Sequence, residues 1–169
     1  FEEKPIVPPV KVETSKVDGK WRLLVDGQEL YVKGAACNNF YAEAADFGAH
    51  IVRTYGVSDK SKAILDAAQE KGLYVNFGLY IKRETDGFDY NNAAAVKAQF
   101  DEMKATVERF KDHPALLVWS IGNEAEASYT NLKLWDAIND IAKMIHETDP
   151  NHPTTTTLAS SNVNHIKNI

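Results

Sequence analysis

His113-Pro-Ala-Leu-Leu-Val-Trp-Ser-Ile-Gly-Asn-Glu-Ala-Glu126 is the stretch on which the fold turns. Its apolar run, Ala115 to Ile121, lies between Pro114 and Gly122. A short continuous apolar run between turn signals predicts a strand buried on both faces, as in a parallel sheet covered by helices. Directly past it stand an amide and a carboxylate, Asn123 and Glu124. In such sheets chemistry sits beyond the carboxyl ends of the strands, so this polar pair is the first candidate for a site.

Working outward, the same rhythm repeats. On the amino side Val96, Phe100, Met103, Val107 and Phe110 recur at helical spacing, and Asp112-His113-Pro114 stops that helix. Further upstream, Leu73 to Leu79 reads as a strand. It is preceded by a helix capped at Ser58 or Asp59, with a stripe of Ile64, Ala67 and Ala68 and a stop at Gly72. Before that come a strand at His50 to Thr54, a short helix at Tyr41 to Phe47 and a strand at Leu30 to Ala36. The polar loop Tyr80 to Asn92 is long enough to belong to a site. On the carboxyl side Leu134, Ile138, Ile141 and Ile145 mark a fourth helix, ended by Asp149-Pro150. Thr154 to Leu158 predicts a fifth strand. A hairpin leads into all of this, Trp21 to Val25 turning at Asp26-Gly27 into Gln28 to Lys33. Strand-helix alternation of this kind implies α/β architecture with a parallel sheet and right-handed crossovers.

Composition narrows the function classes. The chain has 169 residues, fewer than the roughly 250 typical of a closed eight-stranded barrel. A net charge of -5 gives no electrostatic support to nucleic acid or an anionic membrane as partner. No run is long enough to span a bilayer. The single cysteine, Cys37, excludes an internal disulfide framework. It leaves the compartment open, with a lean toward a secreted or periplasmic one. The five histidines and Cys37 show no metal-ligand spacing, so no metal is expected. No glycine-rich phosphate loop follows any strand, and no cofactor is implied. Residues 1–19, with three prolines before Val10, are expected to form a linker or extended lead-in from an upstream domain, and residues 20–169 to form one unit.

Several of these residues match a known pattern. His113-Pro-x-Leu-x-x-Trp119-Ser-x-Gly-Asn123-Glu124 resembles the acid/base signature of family 2 glycoside hydrolases, whose catalytic domain is a (β/α)8 TIM barrel. Gly48-Ala-His-x-x-Arg53-Thr-Tyr-Gly resembles their second strand, and Leu65-x-x-Ala68-x-x-x-Gly72-Leu-Tyr-Val their second helix and third strand. Leu30-x-x-Lys33-Gly34 is similar to the first barrel strand. Asp112 and His50 stand where the family usually has asparagine. The resemblance covers most of Lys20 to Leu158 and implies the amino-terminal half of the barrel, an incomplete one.

It also implies roles. Glu124 would be the general acid/base, with capping of the next helix as its structural alternative. Asn123 would bond the sugar hydroxyl beside the reacting carbon. Arg53, which supports the nucleophile in the family, should here pair with Glu124 or face solvent. Tyr55 and Tyr80, just past strand ends, could stack on sugar or simply pack. Asn38 and its neighbour Asn39 are weaker binding candidates. Trp119 is expected in the core, Glu126 in solvent and His113 in the turn before its strand. The family's nucleophile is a second Glu after the seventh strand, and no Asp or Glu follows Asp149 here. The expectation is therefore part of a retaining glycosidase, inactive alone, with carbohydrate as its partner. Two other readings stand beside it: a non-catalytic carbohydrate-binding module, and a half-barrel that forms a homo-oligomer through exposed strand edges.

Overall fold

Two Asp-Gly pairs shape the start of the chain. Asp18-Gly19 and Asp26-Gly27 all have positive φ, between 49° and 79°. Both central residues of a type I′ turn need that conformation. The turns fold β1 (Val12–Val17), β2 (Lys20–Val25) and β3 (Gln28–Glu29) into an antiparallel sheet. The hairpin at Asp26-Gly27 is the predicted one, but only two residues of its second arm pair. The other turn lies in the stretch expected as a linker or lead-in, which thus contains a fully paired strand. The computed structural model describes residues 7–37, 39–127 and 129–159.

The main sheet contains β4 (Gly34–Ala36), β5 (Ile51–Arg53), β6 (Tyr74–Leu79), β7 (Leu116–Asn123) and β8 (Thr154–Thr157). They lie side by side in chain order, and every pair is parallel. The crossovers are α1 (Tyr41–Asp46), α2 (Ser61–Glu70), α3 (Ala93–Phe110) and α4 (Lys133–Thr148). Among the described residues the sheet does not close, and β4 and β8 are its edges. At the first corner His50, the departure from the family pattern, places its ring Nδ1 2.8 Å from the Tyr31 carbonyl oxygen. It thereby ties the lead-in to the second strand.

The helices follow their apolar stripes. In α3, Met103, Val107 and Phe110 are buried, and the Asn92 side chain caps the start by accepting from the Ala95 N–H at 3.1 Å. In α4 all four predicted positions are buried. α2 departs from expectation: it starts at Ser61, and Ser61, Leu65 and Ala68 form its buried face rather than Ile64 and Ala67. With alanine at 63, 67 and 68, spacing alone cannot choose between adjacent faces, and the bulk of Leu65 decides. Ser58 does not cap the helix. Its hydroxyl accepts from the Lys60 N–H at 3.3 Å and so closes the preceding turn.

β7 is buried as predicted. Trp119 is wholly inaccessible, with its ring edge-on to Phe77 at 5.6 Å between centroids. Residues alternate across a strand. Val75, Phe77, Leu79, Trp119 and Ile121 therefore join the helices in the principal core. The opposite face carries Ile51, Arg53, Asn76, Gly78 and Ser120. The middle of that face is polar. At its amino end Val12 and Val25 pack on Ile51 and Leu117, so the antiparallel sheet plugs the bottom of the parallel one. The Val12 N–H donates to the Asn151 carbonyl at 2.7 Å, fixing that plug beneath β8.

Candidate functional site

The site begins with a bulge. Ser120 pairs with Thr155 and Asn123 with Thr157, so β7 carries one residue more than β8 between these points. The extra length is absorbed at Gly122, whose φ is +77°. A Cβ there would lie 2.6 Å from the Ile81 side chain, so glycine is required on both counts. The bend needed for neighbouring residues to address one site is thus present. Glu124 follows with φ of +51°, and its N–H donates to the Thr157 carbonyl at 2.8 Å. A non-glycine residue held left-handed is uncommon and is found at turns and sites under constraint.

Glu124 therefore stands immediately past the carboxyl end of β7, exposed, on a backbone pinned to the neighbouring strand. Its side chain makes no hydrogen bond or ion pair among the described residues. It does not cap α4, which starts nine residues later. The cap-like contact there comes from the Asn131 side chain, which accepts from the Lys133 N–H at 3.0 Å.

Arg53 reaches the same place from β5. Its Nη2 donates to Asn123 Oδ1 at 2.8 Å and to Thr157 Oγ1 at 2.7 Å. Its guanidinium lies 4.9 Å from the Tyr55 ring centre. The expected choice between Glu124 and solvent is not what the structure shows. The half-buried guanidinium is held by a neutral amide and a hydroxyl, and its Nε is buried without a hydrogen-bond partner. A guanidinium only donates, so it fixes the Asn123 amide with oxygen toward Arg53 and leaves the Nδ2 hydrogens available. The turn carrying Tyr55 rests against Gly78. The Gly78 N–H donates to Thr54 Oγ1 at 3.0 Å, and a Cβ on Gly78 would fall 2.4 Å from the Thr54 carbonyl oxygen.

Tyr55 and Tyr80 are about half exposed past the ends of their strands, at 45% and 46%. Tyr55 is faced by Arg53. Tyr80 donates its hydroxyl to Asp86. Arg83 clamps the same carboxylate through Nε at 3.0 Å and Nη2 at 3.1 Å. The Arg83 hydrogen bond, joined by that of Tyr80, holds the Asp86 carboxyl below the usual carboxylate range. Asn38 lies outside the described residues. Arg53, Asn123 and Tyr55 thus come together beside Glu124, while Tyr80, its Cβ against the turn at Gly56, has its hydroxyl tied to Asp86 on the loop after β6.

Three other expectations meet the structure here. Trp119 is core, and its Nε1 donates to Asp149 Oδ2 at 2.7 Å. His113 serves the turn before β7, its Nδ1 accepting from the Ala115 N–H at 3.1 Å. Glu126, expected in solvent, is only 3% exposed. Its Oε1 accepts from the Ala159 N–H at 2.5 Å, while Oε2 is buried without a partner. The backbone turn after Glu124 carries it inward, which no local pattern announces. Sequence reasoning counts Glu84 only among the charged residues of the polar loop Tyr80 to Asn92 and gives it no role of its own. Its carboxylate accepts from the Thr130 N–H at 2.6 Å, the Thr130 hydroxyl at 3.0 Å and the Asn131 N–H at 3.1 Å. Its place in a long polar loop was the available signal. Among the described residues no three His, Cys, Asp or Glu side chains are grouped to hold a metal ion, and no helix is long and apolar enough to cross a membrane.

Parallel strands in chain order, crossover helices and polar groups gathered past the carboxyl ends define an α/β protein of the (β/α)-barrel class, here with the barrel open. Residues 57–168 match the model for glycosyl hydrolases family 2, TIM barrel domain, and the chain belongs to that family. It is 33% identical over 92 residues to a beta-galactosidase of Arthrobacter sp. (strain B7), covering 48% of this chain and 9% of that one. Among solved structures it is similar in fold to an uncultured Clostridium sp. beta-glucuronidase, with TM-score 0.67, 18% identity, and 89% of this chain and 29% of that one covered. The beta-D-glucuronidase of Dictyoglomus thermophilum gives TM-score 0.67 and 19% identity over 91% of this chain and 29% of its own. The chain therefore spans under a third of the length of these relatives.

Proposed function

We propose that this chain contributes the proton donor of a retaining glycosidase, and that Glu124 is that donor. The observation carrying the reading is the exposed carboxylate on its left-handed turn past β7, beside an asparagine whose amide Arg53 orients. In the first step the Glu124 carboxyl gives its proton to the glycosidic oxygen as the bond to the anomeric carbon breaks. A second carboxylate attaches to that carbon. In the second step Glu124 takes a proton from water, whose oxygen displaces the carboxylate and releases the sugar. Asn123 donates from Nδ2 to the adjacent sugar hydroxyl, and Tyr55 and Tyr80 offer aromatic faces to an oligosaccharide or polysaccharide. The two carboxyl groups of a retaining pair stand about 5 Å apart. Residues 125–169 offer only Glu126, Asp136, Asp140, Glu147 and Asp149. Glu126 is turned into the protein, Asp136, Asp140 and Glu147 lie on α4, and Asp149 is buried beyond its carboxyl end. On the family's order, in which the nucleophile follows the acid/base, we infer that residues 1–169 lack it.

Purified residues 1–169 are therefore expected to release no sugar from aryl glycosides. Steady release that disappears in Glu124→Gln would overturn the assignment of the nucleophile elsewhere.

A second reading draws on the two sheet edges. β4 and β8 leave backbone donors and acceptors unpaired within the described sheet, and such edges template pairing with another chain. The 169-residue polypeptide is expected to self-associate, with sedimentation velocity showing dimers or larger species at micromolar concentration. A compact monomer with a single cooperative melt would refute this.

A further inference from the structure

The loop that carries Glu124 is held by a residue from a different loop. From Glu124 onward the backbone closes on itself: the Ala127 N–H donates to the Glu124 carbonyl at 3.1 Å, and the Tyr129 N–H to the Glu126 carbonyl at 3.3 Å. The next two amides, Thr130 and Asn131, find no such local acceptor. Both donate to one oxygen of Glu84, and the Thr130 hydroxyl takes the other. Along the described residues a series of hydrogen bonds, two within the loop and three to Glu84, thus holds the stretch between Glu124 and Asn131. That series ends at the start of α4, where a negative charge is also favoured by the helix dipole. The backbone hydrogen bonds from Thr130 and then Asn131 hold the Glu84 carboxyl below its ordinary range, so the clamp is charged at neutral pH. On the far side Glu126 ties the same loop to Ala159. The loop is thereby gripped from both sides, and among the bonds described the Glu84 grip is the one made by a side chain from outside it.

We propose that Glu84 is a positioning residue for the proton donor: its carboxylate sets the course of the Glu124–Leu132 loop and so the place of the Glu124 carboxyl against the glycosidic oxygen. This rests on reading Glu124 as the donor. Misplacing a reacting group by about 1 Å can cost on the order of a hundredfold in rate.

The test uses the intact glycosidase carrying this stretch, with two aryl glycosides of one sugar. One has a leaving group poor enough to need protonation, and the other, a dinitrophenyl glycoside, does not. Glu84→Ala is expected to lower kcat/KM on the poor leaving group by about 10- to 100-fold and to leave the activated substrate nearly unchanged. Glu84→Gln keeps an acceptor oxygen for the two amides and should recover most of the loss. Amide exchange at Thr130 and Asn131 should quicken in the alanine variant and not in the glutamine one. Equal losses on both substrates, an effect confined to KM, or unchanged exchange would each overturn the proposal. If Glu84→Ala does not fold, a glutamine variant as impaired as Glu124→Gln would do so instead. Glu124→Gln serves as the separate control. Should it retain full activity on the poor leaving group, the reading of Glu124 fails, whereas the exchange result still reports whether the clamp exists.

Discussion

Glu124→Gln in the intact enzyme is expected to lower kcat/KM on substrates with poor leaving groups by about 10²- to 10⁴-fold, the range that a positioned general acid supplies. Glutamine matches glutamate in shape and can occupy the same left-handed turn, but its amide has no acidic proton to give. The wild-type side chain has no hydrogen-bond or ion-pair partner among the described residues. The Glu124 N–H bond to Thr157 belongs to the backbone and survives. The melting temperature should therefore stay where it was, and the loss can be assigned to chemistry. Retention of wild-type kcat/KM on such a substrate would remove Glu124 from the mechanism.

The second large effect concerns stability, at the opposite end of the sheet. Asp149 is buried with His152, whose Nδ1 donates to its carboxylate at 2.8 Å. The Asp149 oxygens also accept from Trp119 Nε1 at 2.7 Å and from the Asn151 N–H at 3.1 Å. Asp149→Ala would leave all three donors unpaired, with those of Trp119 and His152 buried. The expected cost is about 3–5 kcal/mol, as for removal of one member of a buried hydrogen-bonded pair. Urea denaturation read by tryptophan fluorescence measures it, and a loss well under 1 kcal/mol would show that the cluster does not hold the fold. The pH dependence has a definite sign. Burial alone would raise the Asp149 carboxyl, but the hydrogen bonds from His152 and Trp119 outweigh it and hold the group below the usual carboxylate range. The unfolded value is about 3.9. The stabilisation is therefore complete above about pH 4 and fades as pH falls through the lower folded value. In Asp149→Asn that acid-side decline should flatten.

Much of the architecture was legible because the long elements are strongly periodic. The stripes of α3 and α4 admit one buried face each, and the run Leu116 to Ile121 suits nothing but a covered strand. Legibility failed where side chains are small or partners distant. The alanines of α2 left its face undetermined by one position. The strand Val12–Val17 went unseen although Asp18-Gly19 repeats the turn signal of Asp26-Gly27, because its alternation is weak and its neighbours are prolines. Within the candidate site, Asn123 and Glu124 could be placed from the strand that precedes them. What surrounds them could not. Arg53 meets Asn123 across seventy positions and Glu84 meets Thr130 across forty-six, and each meeting depends on how loops from separate crossovers come together. The inward turn of Glu126 has the same origin, since its acceptor role is completed only by Ala159.

The bond from Val12 to Asn151 bears on the order in which the molecule can assemble. It joins the first paired strand to the corner just before β8, so nearly every crossover must be made before it can form. On the ribosome, β1 can zip onto β2 within its own hairpin early, yet the hydrogen bond that fixes it beneath β8 can form only once the corner at Asn151 has emerged. Closure over so long a loop is entropically slow, which makes the docking of the plug a late event in the birth of this fold.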